Sequence, residues 1–201
     1  MSLRRVAETR WWWIRHAPVV GPSTLLPEPD APPDLSDPKR IERLRRHLPP
    51  RAIWLASEMP RALLTATALT HVRPIRDPDL NEQDFGDWQG RLHDELWREG
   101  DADYRQFWTA PAATEPPGGE SFEAMCLRVA TAVERLTQVH AGMDIVAVAH
   151  AGTIRAALAL ALGIAPVRAL SLVIEPWSLT RIDWVASDWR VVRVNGREAF
   201  L

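Results

Sequence analysis

The sequence predicts an α/β fold, a mostly parallel sheet with antiparallel strands added at its C-terminal end. Three observations carry this prediction. Short apolar runs alternate with helical patterns as far as Leu162, the signature of strand–helix–strand units. Three strand-like pieces then follow at hairpin spacing, two of them with alternating character. Finally, 46% of the 201 residues are apolar, enough to cover both faces of such a sheet.

The first strand is read from "TRWWWIRH", where an aromatic run from Arg10 to Ile14 is bounded by charge and followed by proline. Alternation puts Trp11 and Trp13 on one side and Trp12 on the other, and a central strand would bury all three. Seven prolines then fall between Ala17 and Pro38, so this stretch is neither helix interior nor central strand and is expected as a long, stiff loop. Asp37 can cap a helix that opens with Pro38 and runs to about Leu48.

"AIWLAS", residues 52–57, reads as a second buried strand, with Ser57 placed to cap the following "EMPRALLTATALT" helix and Pro60 in its tolerant first turn. "RPIRDP" is a third short strand. The irregular "DLNEQDFGDWQG" and two helical patches, residues 92–98 and 102–108, lead to the loop "APAATEPPGGES". Phe122, Met125, Val129, Val133 and Leu136 recur at spacings of three and four, an amphipathic helix ended by His140 and Gly142. "DIVAVAH" is a fourth strand, with a helix from about Thr153 to Leu162 behind it. "ALSLVIEP", "SLTRIDWVAS" and "DWRVVRVNG" complete the sheet.

A formal charge of −2, with both signs interspersed, gives no reason to expect nucleic acid or an anionic membrane as partner. No segment approaches the roughly 20 apolar residues of a membrane span, and the N-terminus lacks a signal-like apolar stretch, so the expected location is cytoplasmic. Cys126 is the one cysteine and is read as a small core residue.

In open α/β sheets the loops at the carboxyl ends of parallel strands carry the site, near the point where strand order reverses. Here the first strand delivers Arg15 and His16, the second Ser57 with Arg61 one turn on, and the fourth His150 at a helix N-terminus. Two arginines, two histidines and helix amides together form an anion-seeking pocket, and phosphate is the guest they suit. A neutral imidazole there can attack phosphorus, and a carboxyl group beside phosphate suits a general acid. Glu82, Asp84, Asp87 and Glu120 are available, and spacing does not choose among them.

The ordered set "IRHA", "ASEMPRALLTATAL", "LNEQDFGDWQG", "PPGGESF" and "VAVAHAGTIRAAL" resembles the histidine phosphatase superfamily in its phosphoglycerate-mutase-like branch, whose patterns are RHG, SxxxRAxxTA, LxExxFGxWxG, PGGES and HGGxxR. The resemblance covers Trp12 to Arg155. It implies a three-layer αβα sandwich in a single domain, residues 1–201, with a small helical cap insertion at about 80–119. It further implies His16 as the nucleophile that becomes phosphohistidine, Glu82 as general acid and base, and Arg15, Arg61, His150 and the backbone of Ala151 as phosphate ligands. No metal or other cofactor is implied. The expected partner is a small phosphorylated metabolite, and a homodimer is compatible.

Ala17 and Ala151 replace family glycines, and "PVVGP" replaces the family's Thr and Asn after the nucleophile. Phosphate contacts there would be fewer, or come from backbone or from Ser23 and Thr24. Three functions stay open: a metal-independent phosphomonoester hydrolase, a phosphoglycerate mutase, and a pseudoenzyme that binds a phosphorylated ligand. The hydrolase is favoured because the chain is short after Glu82, with Arg91, Arg98 and Arg105 the only nearby bases. His47, His71 and His140 read as solvated helix-end residues. His93, Trp88 and Trp108 fall in the inserted stretch, where a place beside the site competes with plain packing.

Overall fold

The computed structural model describes residues 8–21, 28, 30–99 and 102–197. Ser23 and Thr24 lie outside the described residues. Six strands are described: β1 (Glu8–Arg15), β2 (Ile53–Ala56), β3 (Ile75–Arg76), β4 (Asp144–Ala149), β5 (Leu179–Val185) and β6 (Asp188–Gly196). They form one sheet in the order β3-β2-β4-β1-β5-β6. β3, β2, β4 and β1 run parallel, and β5 and β6 are the antiparallel addition.

Seven helices accompany them: α1 (Pro38–Arg46), α2 (Pro60–Leu69), α3 (His93–Glu99), α4 (Ala102–Phe107), α5 (Phe122–Val139), α6 (Ala151–Leu162) and α7 (Pro166–Ala169). The local signals work as expected at several ends. Asp37 accepts from the Arg40 amide at the start of α1, Ser121 accepts from the Ala124 amide at the start of α5, and Gly163 closes α6 at φ 60°. No helix among the described residues is long and apolar enough to cross a membrane.

Alternation along the central strands divides the core into two clusters, which makes the fold a three-layer αβα sandwich. Trp11, Trp13, Leu55, Ile145, Ala147 and Ala149 face α5, α6 and α7. Ile14, Trp54, Ala56, Val146 and Val148 face α1 and α2. The chain after β1 thus builds one face and the helix after β4 the other, so a crevice opens between these adjacent strands at their carboxyl ends.

Trp11 and Trp13 are fully buried and stack at 4.9 Å with 9° between their planes, and Trp11 Nε1 donates to Thr137 Oγ1 at 2.9 Å. Trp12 departs from the expectation of full burial. It faces the other layer half-exposed, donates to Asp144 Oδ1 at 2.9 Å and lies under the Arg181 guanidinium at 4.5 Å, a cation–π seat near the sheet surface. Trp11→Ala is expected to cost about 3–5 kcal/mol in a urea unfolding titration; a loss below about 1 kcal/mol would show that the pair is not an anchor.

Other expectations are corrected. "ALSLVIEP" is not a strand: it ends α7, which the sequence reading missed, and continues as a turn and an irregular segment. Arginine side chains use its carbonyls, Arg155 Nε on Leu172 at 2.8 Å and Arg15 Nη1 on Ile174 at 2.6 Å, where a strand would need a ladder partner. The third strand shrinks to the exposed pair Ile75–Arg76. α6 opens at Ala151, two residues before the expected Thr153. α2 is preceded by Met59 without a side-chain cap, so Ser57 does not cap it.

The stretch between β3 and α5 carries its own aromatic cluster, with Trp88, Leu96, Tyr104 and Phe107 buried together and Phe85 against them. Packing explains His93 here: its Nδ1 bonds the Tyr104 hydroxyl, and its ring contacts Trp97 and Trp108. Trp88 is a core residue of this cluster, while Trp108 is 40% exposed.

Candidate active site

The parallel register of β1 and β4 pairs Arg15 with Ala149, so the next residue of each strand, His16 and His150, emerges side by side. Their ring centroids are 5.0 Å apart, about one strand spacing. Both rings are buried. On the far side of β4, Ala56 pairs with Val148 and brings Ser57 alongside as well.

Hydrogen bonds fix the tautomer of each ring. A carbonyl can only accept, so His16 Nδ1, 2.6 Å from the Ala17 oxygen, carries the proton, and Nε2 keeps its lone pair. The Ala17 backbone is itself held, its amide donating to Thr65 Oγ1 at 3.1 Å. An arginine can only donate, so His150 Nδ1 accepts from Arg61 Nε at 3.3 Å. The neutral His150 ring then holds its proton on Nε2 and donates it to Ser57 Oγ at 2.7 Å.

Burial pushes His16 down from 6.5 to about 3, with Arg61 and Arg15 adding to the effect and the Ala17 carbonyl opposing it. Burial likewise holds His150 well below its ordinary value, followed by His16, Arg61 and Arg15. Both rings are therefore neutral at physiological pH. The unfolded chain binds these protons more readily than the folded one. Stability is full above about pH 6.5 and is lost as pH falls toward 3, by up to about 1.4 kcal/mol per pH unit for each ring. Melting followed from neutral to acid pH is expected to show Tm falling below about 6.5, less steeply in a His16→Asn variant; an unchanged slope in that variant contradicts the assignment.

Burial also lowers Arg15, Arg61 and Arg155, and Glu82 opposes the shift in all three. Guanidinium groups stay charged, so three cations surround one carboxylate. Arg15 Nε is buried with no hydrogen-bond partner among the described residues, a donor free to meet an anion. Arg61 additionally donates to the Glu28 carbonyl at 3.1 Å.

Of the four carboxylates, Glu82 is the one bonded to the helix end that carries His150. Glu82 Oε2 accepts from the Gly152 amide at 3.2 Å, at the N-terminus of α6 beside His150. Asp84 is occupied by the Gly86 amide and Gln89, at 2.9 and 2.6 Å, and Glu120 is paired with Arg128. Asp87 sits on the inserted loop against Gly118. His16, His150, Arg15, Arg61 and Glu82 thus come together, with Ala151 half-buried as the first residue of α6. Thr65, Arg155 and Gly152 have no role in the sequence expectations, and Ser57, expected at this strand end and as a helix cap, is at the strand end but bonds His150 instead of capping α2.

Comparison with known proteins points the same way. The family model of the histidine phosphatase superfamily (branch 1) matches residues 39–197, a stretch that begins after His16 and the proline-rich loop. The adenosylcobalamin/alpha-ribazole phosphatase of Salmonella typhimurium is 32% identical over 153 residues, covering 72% of this chain and 75% of that protein. The metal-independent phosphoserine phosphatase of Arabidopsis thaliana is 28% identical over 170 residues, covering 80% and 69%. The solved structure of the alpha-ribazole phosphatase from Shigella flexneri matches with a TM-score of 0.80 at 26% identity, covering 94% of this chain and 96% of that one. The chain belongs to the histidine phosphatase superfamily, and it is a phosphatase of that family.

Proposed function

We propose that the protein hydrolyses small phosphomonoesters in two steps through a phosphohistidine on His16. In the first, His16 Nε2 bonds to phosphorus, the bond from phosphorus to the ester oxygen breaks, and Glu82 gives its proton to the departing alkoxide. In the second, water attacks phosphorus, Glu82 takes the water's proton, and the P–N bond breaks to release inorganic phosphate and neutral His16. Arg15, Arg61 and the Ala151 amide hold the phosphoryl oxygens, where charge builds in both steps, and His150 joins them by turning its Nε2 proton from Ser57 to the phosphoryl group.

One observation carries the reading: the Ala17 carbonyl engages Nδ1 of a buried, neutral His16, which leaves Nε2 as an unprotonated nucleophile among arginines. Mutase chemistry has less support. It calls for spare arginines after Glu82, and of the three there Arg91 is bound to Glu99 and Arg105 to the Trp97 carbonyl, which among the described residues leaves Arg98 alone for that part. The substrates named for the relatives, alpha-ribazole phosphate and phosphoserine, are the first natural candidates. The stretch 80–119 is assigned as the cap that selects among them. A cytoplasmic setting belongs to the same proposal, and the lone buried Cys126 suits it.

The test is hydrolysis of an aryl phosphate, alpha-ribazole phosphate and phosphoserine after exhaustive chelation. Turnover within about twofold of the untreated protein is expected, because no proposed step uses a metal. Activity that disappears with chelation and returns with a divalent cation would contradict the mechanism.

A further inference from the structure

Glu82 lies on an irregular segment that neither a strand ladder nor a helix fixes, and a general acid misplaced by an ångström loses much of its effect. Arg128 and Thr153 hold that segment before Glu82, and Glu120, the partner of Arg128, holds it after. Arg128, on α5, donates through Nη1 to the Asp79 carbonyl at 2.8 Å and the Asn81 carbonyl at 3.3 Å. Its Nε and Nη2 clasp both carboxylate oxygens of Glu120. Glu120 in turn fixes the chain after Glu82: its carboxylate accepts the Asp84 amide, and its carbonyl accepts Gln83 Nε2 at 2.9 Å. Thr153, fully buried one residue after the Gly152 amide that binds Glu82, donates to the Leu80 and Asn81 carbonyls at 3.1 and 3.3 Å.

We infer that Arg128, with Glu120 as its counter-ion, and Thr153 are positioning residues that set the place of the Glu82 carboxylate; the inference rests on reading Glu82 as the general acid. Neither side chain bonds Glu82 itself. Both act on the backbone just before it, and Arg128 reaches the residues after it through Glu120, so their loss shifts the carboxylate rather than removing it. The Arg128 side chain is 24% exposed, so its bonds to Glu120 and to the loop carbonyls are made largely out of water. Its bonds to the loop serve precision.

Leaving-group dependence separates positioning from a general structural role. A nitrophenolate departs without help, whereas an alkoxide needs a proton. kcat/KM is compared for p-nitrophenyl phosphate and glycerol 2-phosphate in Glu82→Gln, Arg128→Ala, Arg128→Lys and Thr153→Val. Glu82→Gln is expected to lose about 100-fold or more on the alkyl ester and far less on the aryl ester. Arg128→Ala and Thr153→Val are expected to lose roughly tenfold or more on the alkyl ester and under about threefold on the aryl ester, with Arg128→Lys between them and the wild type. Equal losses on both esters in the Arg128 and Thr153 variants, with Glu82→Gln selective, overturn the inference alone. A Glu82→Gln variant without selectivity overturns the reading of Glu82 itself. If Arg128→Ala fails to fold, Arg128→Lys and Thr153→Val decide by the same criterion.

Discussion

His16→Ala is expected to lower kcat/KM for an aryl phosphate by roughly 10⁴-fold or more, the scale on which loss of a covalent nucleophile is felt. The fold should survive the change. The side chain is buried at the end of β1, but the strand is held by its ladders to β4 and β5 and by the stacked Trp11 and Trp13, not by the imidazole. Removing a buried histidine with a depressed proton affinity should even relieve the acid sensitivity it creates. Because Arg15, Arg61 and His150 remain, inorganic phosphate should still bind the variant within a few-fold of the wild type. Calorimetric titration with phosphate, beside steady-state kinetics, checks both halves. Residual turnover near the wild-type rate would remove His16 from the chemistry, and lost phosphate binding would show that the arginines depend on its ring.

Gly152→Ala is expected to damage activity nearly as much as loss of the Glu82 carboxyl while costing little stability. A Cβ on Gly152 would stand 2.1 Å from Glu82 Oε1 and 3.2 Å from Met125 Cε. The backbone there is helical, so alanine meets no dihedral strain, and in the first turn of α6 it is the better helix former. Relief must come from the carboxylate, the movable end of a flexible side chain. Glu82 would swing away, giving up the Gly152 amide at the start of α6. A loss of about 100-fold in kcat/KM on an alkyl phosphate is expected, with Tm within a few degrees of the wild type. A variant of full activity would mean that the resting position of Glu82 does not matter to catalysis.

The parts of this site that follow strand and helix periodicity are legible in the sequence. The aromatic run to Arg15 and His16, the apolar run to His150, and the three-and-four spacing of α5 all have the expected form, and the sandwich follows from them. What sequence cannot convey is which polar groups meet across elements. Ser57 has the chemistry of a helix cap, but α2 starts only at Pro60 after Met59, and the Ser57 hydroxyl accepts from His150 at the end of the neighbouring strand. "ALSLVIEP" has strand composition, but Arg15 and Arg155 use its carbonyls to fix themselves at the site. Four acidic residues near the site look alike in the sequence. What sets Glu82 apart is its bond to the Gly152 amide at the start of α6, where Asp84 is bonded to Gly86 and Gln89 and Glu120 to Arg128. Trp12 shows the same limit in the core, since alternation gives its side of the sheet but not the depth of the layer that covers it.

The most direct test of the account is the site of phosphorylation. The protein is mixed with a labelled aryl phosphate, quenched within the first turnovers and digested under alkaline conditions, and the phosphopeptide is identified by mass spectrometry. The account predicts acid-labile, alkali-stable phosphate on the peptide that carries His16, on Nε2, and none in His16→Ala. Label on any other residue, or rapid turnover that never leaves phosphate on the protein, would contradict it.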